Sequence, residues 1–324
     1  MVRTDSGPSV STEYAYHGID AAFLENDHLR VMVLPGKGGD VLEFRDKRTD
    51  VDVLWHADHN WEPPGERYVP SADGATWLDH YPGGWQVNLP VAGDGMAIPG
   101  SEYGLHGESA LVPWEATVTR DDDEGVALRL TTDLVRYPFS LEREFRLPAC
   151  EPCLTVDERV TNKGGVELEY AWQQHLTLGR PLVGKTARLD LPASTGVTES
   201  TGEPFQHGRL AGEETFDWPV APTRDGGTAD LREIPPEEAG YHDQCYATDL
   251  DAGWYALTNP TLDLGFAFTF PTDPFECVWY WQPLGGFEEA PYWGRNYNVG
   301  LEPTTAYPLS VDEQRAGGRM ETLA

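Results

Sequence analysis

Apolar and polar residues alternate along run after run of this chain, and a helical repeat is almost absent. Alternation places successive side chains on opposite faces of an extended strand, so it restricts the chain to β-sheet architectures. LRVMVLP (29–35) and DVLEFRD (40–46) flank a Gly-rich turn, and WEATVTR and VALRLTTDL flank the turn DDDEG (121–125). YPFSLEREFRLP, CLTVDERVTN and VELEYAWQQHLTLG follow, the last two separated by KGG. WYALTN and LGFAFTF predict another hairpin around 259–265, and NYNVGLEP closes the set. Many short strands divided by Gly, Pro and Asp turns predict a large all-β sandwich or barrel. No break in composition divides the chain, so residues 1–324 are expected to form a single domain. The acidic, Pro/Gly-containing stretches 198–240 and 58–82 read as long surface excursions.

Charge narrows the partners. With 54 acidic and 23 basic residues the net charge is −31, and lysine is confined to Lys37, Lys47, Lys163 and Lys185. Such self-repulsion is tolerable where salt screens it, which reads as adaptation to a concentrated-salt interior. The 11 Trp, 14 Tyr and 11 Phe argue against a disordered acidic chain. Nucleic acid and anionic membranes are poor partners for this surface, whereas a neutral ligand is indifferent to it. Cys150 and Cys153 form a C-x-x-C with no second pair for zinc and no βαβ context for redox chemistry, so they read as incidental thiols. Cys245 and Cys277 are isolated. The segment MVRTDSGPSVSTEYAYHG has no apolar core of a signal peptide, and no run approaches the ~20 apolar residues of a membrane span. A cytoplasmic location is expected; the oligomeric state is open.

Three places put a chemically useful side chain on a strand. In VELEYAWQQHLTLG, alternation sets His175 beside Gln173 and Thr177, away from Leu168, Tyr170, Trp172, Gln174 and Leu176. In YNVGLEP, Glu302 shares a face with Asn298 and Gly300, opposite Tyr297, Val299 and Leu301. Gly300 removes a side chain there and leaves room for a ligand, while Pro303 suggests a strand end. In YGLHGESALVPW, His106 and Glu108 face the same way if the chain is extended, which suits a metal site, an acid–base pair or a loop histidine alike. A metal needs further ligands that this spacing does not supply, and none is expected. Trp85, Trp172, Trp279, Trp281 and Trp293 are a separate signal: aromatic faces stack on the C–H faces of sugars, and amides such as Gln86, Asn88, Gln173 and Gln282 bond hydroxyls. Trp85 and Trp293 sit among Gly and Pro, which favours a ligand role. No nucleophile elbow, phosphate loop or dinucleotide fingerprint is present.

Together PGGWQVNLP (82–90), YGLHGESALVPW (103–114), EYAWQQHLTLG (169–179), YHDQCYATDL (241–250) and YNVGLEPTTAYP (297–308) resemble the aldose 1-epimerase, or galactose mutarotase-like, family. The resemblance spans nearly the whole chain. It implies a large antiparallel β-supersandwich with a concave sugar-binding face, interconverting the α and β anomers of a free aldose with no cofactor. By that resemblance Glu302 is the general base at the anomeric hydroxyl and His175 the general acid at the ring oxygen. His106 matches the family's second histidine, and Asp243 its substrate-binding aspartate.

One departure stands out. More typical members carry an arginine after the Gly-rich motif, where this chain reads GGWQVNLP. Gln86, Asn88 or Arg295 is expected in its place, the chain resembles the divergent branch of the family, and the absence of a basic cluster near the motifs favours a neutral sugar. Two rivals remain at this level: a non-catalytic carbohydrate-binding protein on the same fold, and a glycoside-cleaving enzyme using Asp243 and Glu302 as paired carboxylates.

Overall fold

In a computed structural model of the chain, residues 7–59, 61 and 75–324 are described. Residues 1–6, and residues 60 and 62–74 of the expected excursion over 58–82, lie outside them. The alternating runs assemble mainly into one sheet of 12 strands. Its path is Ser9–Tyr16, Ile19–Glu25, Leu29–Leu34, Asp40–Asp46, Trp85–Asn88, Gln173–Leu178, Val299–Thr304, Cys277–Leu284, Tyr241–Leu250, Ala193–Thr198 and Thr215–Asp217. Val51–Asp52 pairs off that path with Asp40–Asp46. Every pairing along the path is antiparallel. The architecture is all-β and built on a large antiparallel sheet, as the alternation predicts.

The centre of this sheet draws together strands from distant parts of the chain. Each turns its apolar set to one side: Trp85 and Val87, Leu176 and Leu178, Val299 and Leu301, Val278 and Tyr280, all buried in one core cluster. Two smaller sheets contribute to that cluster. One has four strands, Glu115–Asp122, Gly125–Asp133, Phe139–Pro148 and Thr155–Asn162; the other has three, Arg188–Asp190, Trp254–Asn259 and Leu264–Thr269. Fully burying a leucine or valine contributes about 1.5–3 kcal/mol, so this face sets the register of every central strand. What is left over, by the period of two, is a row of polar residues on the other face.

Several local expectations are corrected. The run 166–179 is two strands: Leu168–Tyr170 pairs with Glu321–Leu323, and Gln173–Leu178 joins the large sheet. Pro303, expected near a strand end, lies opposite Val278 one residue before its strand closes at Thr304, because a proline forfeits only its own N–H. The stretch 198–240 is not a mere surface excursion. It supplies Thr215–Asp217 to the large sheet, forms a hairpin of Val220–Pro222 with Thr228–Asp230, and buries Phe205, Leu210, Ala221 and Leu231. Cys150 and Cys153 are exposed free thiols. Among the described residues no helix is long and apolar enough to cross a membrane.

Candidate active site

The polar face of the central strands brings His175 and Glu302 together by register alone. Gln173 pairs with Thr304 and Thr177 with Gly300, so His175 falls directly across from Glu302. Both side chains are buried, and His175 Nε2 lies 3.4 Å from Glu302 Oε1. On the other side of His175, the same strand pairs with Trp85–Asn88, setting Gln86 opposite His175 and Asn88 opposite Gln173. Gly300 has a different role from the one expected. A Cβ there would sit 2.3 Å from Glu302 Oε1, so the space it leaves is filled by the carboxylate itself.

Hydrogen bonds lock this row from behind. Asn88 Nδ2 donates to Gln173 Oε1 at 2.9 Å, and Gln173 Nε2 donates to Glu302 Oε2 at 2.9 Å. Glu302 Oε1, nearer His175, has no hydrogen-bond partner among the described residues. Gln86 Nε2 donates to Asp40 Oδ2 at 2.8 Å, and Lys37 Nζ donates to the same oxygen at 2.5 Å. Lys37 and Asp40 are fully buried, so the lysine charge is spent on Asp40 behind Gln86. The far ends of the amides, Gln86 Oε1, Asn88 Oδ1 and both polar atoms of Asn298, are buried without hydrogen-bond partners among the described residues. Buried polar groups are ordinarily paired, so a set of unpaired ones beside an acid–base pair is what a polar ligand would satisfy.

His106 reaches the site through a turn. It has φ 58° and Gly107 φ 72°, both left-handed, and a Cβ on Gly107 would meet the Leu89 carbonyl oxygen at 2.7 Å. The bend separates His106 from Glu108, which the extended reading had set side by side. Glu108 turns away and accepts hydrogen bonds from the Tyr103 hydroxyl and, at 3.0 Å, from the Arg136 N–H. The His106 ring stands edge-on to Trp77 with centroids 4.5 Å apart, and 5.3 Å from the ring of His175. Trp77 belongs to the short helix Ala75–Asp79 and also approaches His175, as does Tyr81, each with centroids 5.0 Å away. Trp281 adds a further wall 6.0 Å from His175.

Burial governs the charges. It holds the Glu302 carboxyl well above the usual carboxylate range. Burial likewise drives His175 down to about 3, and holds His106 well below the ordinary imidazole value with help from His175. Each group alone is therefore pushed toward its neutral form. At 3.4 Å the favoured arrangement of the two is a protonated carboxyl beside a neutral imidazole, so that the pair holds one proton. Such a pair can remove a proton from one atom of a ligand and return one to another.

Of the sequence candidates, His175, Glu302, His106, Gln86 and Asn88 are brought to this face. Asp243 and Trp85 are not. Asp243 pairs with Gln282 and faces the core side, where its carboxylate accepts from the Leu210 N–H at 3.0 Å and lies 3.3 Å from Arg209 Nε. His242, one residue earlier and on the opposite face, is the member of YHDQ on the side of His175 and Glu302, its ring 6.2 Å from that of Trp281. Trp85 also faces the core side, donating from Nε1 to Gln174 Oε1 at 2.8 Å and lining a separate cavity of about 790 Å³ with Trp172, Phe266 and Phe268. Trp293, 66% exposed, and Arg295 lie in the loop that carries buried Tyr292. Arg295 is occupied in bonding the carbonyls of Tyr292 and Pro291. Sequence reading missed Trp77, Tyr81 and His242. The i, i+4 spacing of Trp77 and Tyr81 inside an otherwise polar stretch was the available signal.

The fold and this row of residues can be set beside known proteins. A protein of Klebsiella pneumoniae provisionally named an aldose 1-epimerase superimposes with a TM-score of 0.72 at 17% identity, covering 98% of this chain and 79% of that one. A galactose mutarotase-like protein from Clostridium acetobutylicum gives 0.65 at 13% identity, covering 98% and 95%. At these identities the likeness is one of fold. No curated protein matches the sequence. One family model, a domain of unknown function designated DUF4432, matches residues 16–324, and the chain belongs to that family.

Proposed function

We propose that the chain is an aldose 1-epimerase acting on a neutral free aldose without a cofactor. The observation that carries this reading is the buried His175–Glu302 contact of 3.4 Å, in which Glu302 Oε1 has no hydrogen-bond partner among the described residues. In the proposed reaction, Glu302 as carboxylate takes the proton of the anomeric hydroxyl while His175 as imidazolium gives one to the ring oxygen. The C1–O5 bond breaks and a free aldehyde forms, leaving a protonated carboxyl and a neutral imidazole. After rotation about C1–C2, His175 takes back the proton of the O5 hydroxyl and Glu302 returns one to O1, closing the ring on the other face. The two tautomers of the pair are thus those needed for opening and for closing. Positioned proton transfer of this kind typically contributes about 10²–10⁴-fold.

The surroundings support a neutral sugar. His106 is placed to bond a ring or hydroxyl oxygen, Gln86, Asn88 and Asn298 offer unpaired amide atoms, and Trp77, Tyr81 and Trp281 offer ring surface. Lys37 is neutralised by Asp40, and Arg209 lies with Asp243 on the other face of the sheet. That same placement weakens the glycoside-cleaving alternative, since Asp243 and Glu302 do not face one cleft.

The test is mutarotation of freshly dissolved α-anomers of D-galactose and D-glucose, followed by polarimetry in high salt. Acceleration by the wild type, with Glu302→Gln and His175→Asn each reduced at least about 100-fold, supports the assignment. Full activity in either variant removes that residue from the mechanism. Saturable sugar binding without acceleration would instead favour a carbohydrate-binding protein.

A further inference from the structure

The strand Tyr241–Leu250 turns His242 to the side of His175 and Glu302, against Trp281, and every polar atom of its ring is engaged. Nδ1 lies 2.8 Å from the carbonyl oxygen of Pro204, which can only accept, so Nδ1 carries the hydrogen. Nε2 lies 2.9 Å from Nε1 of Trp281, whose indole N–H can only donate, so Nε2 must be the acceptor. The two contacts fix one neutral tautomer. Packing fixes the ring plane as well: His242 stacks on Phe287 with centroids 4.4 Å apart and planes 18° from parallel, and Phe205 covers it at 4.8 Å.

Trp281 gains a defined orientation from this. It pairs in register with Gly300, beside Glu302, and its ring lies 6.0 Å from His175. A Cβ on Gly300 would come within 3.1 Å of Trp281 Cβ, so the glycine admits both the carboxylate and the indole. Because the indole N–H is satisfied inside the protein, what Trp281 offers a ligand is its face. The face of a held indole suits the C–H face of a sugar ring, at little cost in side-chain entropy.

We propose that His242 is a positioning residue that locks Trp281 as the stacking platform for the substrate. The platform role rests on the aldose reading above; the lock does not. Pro204 ties the arrangement to the 199–212 segment, which is clasped from the opposite face of the same strand by Asp243, through the Leu210 N–H and Arg209. Successive residues of YHDQ thus hold one segment from two sides, His242 on the side of Trp281 and Asp243 on that of the core.

The experiment compares wild type, His242→Phe, which keeps the ring but removes the acceptor, and His242→Gln, which restores an acceptor. The Trp281 indole N–H resonance, assigned with Trp281→Phe, is expected to exchange slowly with solvent in wild type and in His242→Gln, and to lose that protection in His242→Phe. For α-D-galactose or α-D-glucose mutarotation, His242→Phe is expected to raise KM about tenfold with kcat within about twofold, and His242→Gln to recover most of the loss. An unchanged indole resonance in a folded His242→Phe overturns the lock. A fall in kcat with KM unchanged overturns the platform role. If the wild type accelerates neither sugar, the aldose reading fails with the platform role, and the lock is decided by the resonance alone.

Discussion

Gln173 donates from Nε2 to Glu302 Oε2 at 2.9 Å, and its own oxygen is held by Asn88 Nδ2 at the same distance. A glutamine with both ends engaged cannot flip, so the carboxylate is presented to His175 through Oε1 only. Gln173→Leu leaves Oε2 buried without a donor. A hydrogen bond to a charged group is worth about 1.5–3 kcal/mol, so we expect mutarotation to fall about 10- to 100-fold. Asn88→Ala, one bond further back, should cost less than about tenfold. Steady-state polarimetry of both variants orders the two effects; equal losses would contradict the relay.

Gly300→Ala tests the space rather than the bonds. The added Cβ would lie 2.3 Å from Glu302 Oε1, so the carboxylate must move. A displacement near 1 Å at a reacting group can cost about 100-fold, and a loss of that size in kcat is expected. The φ of Gly300 is not in the left-handed region, so the backbone accepts alanine and the variant should still fold. Activity close to wild type would mean that the carboxylate does not work from this position.

The pH dependence follows from one shared proton. The pair is competent when singly protonated. It takes a second proton only as pH falls toward the depressed value of His175, about 3, and gives up its proton only above the ordinary carboxylate range, because burial raises Glu302. The rate should therefore hold level from about pH 5 to 7, measured as kcat/KM in constant ionic strength. An acid limb at the ordinary imidazole value, about 6.5, would show that His175 is solvated in the working enzyme.

His242 makes a prediction about stability. Its folded value, pushed down to about 3 by burial, lies below the unfolded value near 6.5. Between those limits the unfolded chain binds the extra proton, so the stabilisation is full above about 6.5 and is lost as pH falls, by about 1.4 kcal/mol per unit. Asp40 and Asp243, raised by burial, oppose this slope. The difference between wild type and His242→Gln isolates the histidine: urea unfolding from pH 7 to 5 should show the variant losing less stability. Parallel curves would mean that His242 titrates alike in the folded and unfolded chain.

Much of the architecture was legible because it depends on a local rule. Period-two alternation assigned His175, Gln173 and Thr177 to one face and Leu176 and Gln174 to the other, and burial of the apolar set enforces that choice in the folded sheet. The hairpins Glu115–Asp122 with Gly125–Asp133, and Trp254–Asn259 with Leu264–Thr269, follow from their turns in the same way. Strand pairing between distant segments is not local. That His175 lies across from Glu302 depends on strands more than a hundred residues apart meeting in one register, which many long-range contacts decide together. Whether His242 or Asp243 faces the side of His175 and Glu302 is a one-residue question of phase. Both neighbours in YHDQ are polar, so alternation is silent there, and the core's claim on Cys245 and Ala247 decides it. The left-handed turn at His106–Gly107, and the arrival of Trp77 from a stretch that looked like surface, are likewise set by what packs against them: the Leu89 carbonyl in one case, the rings of His106 and His175 in the other.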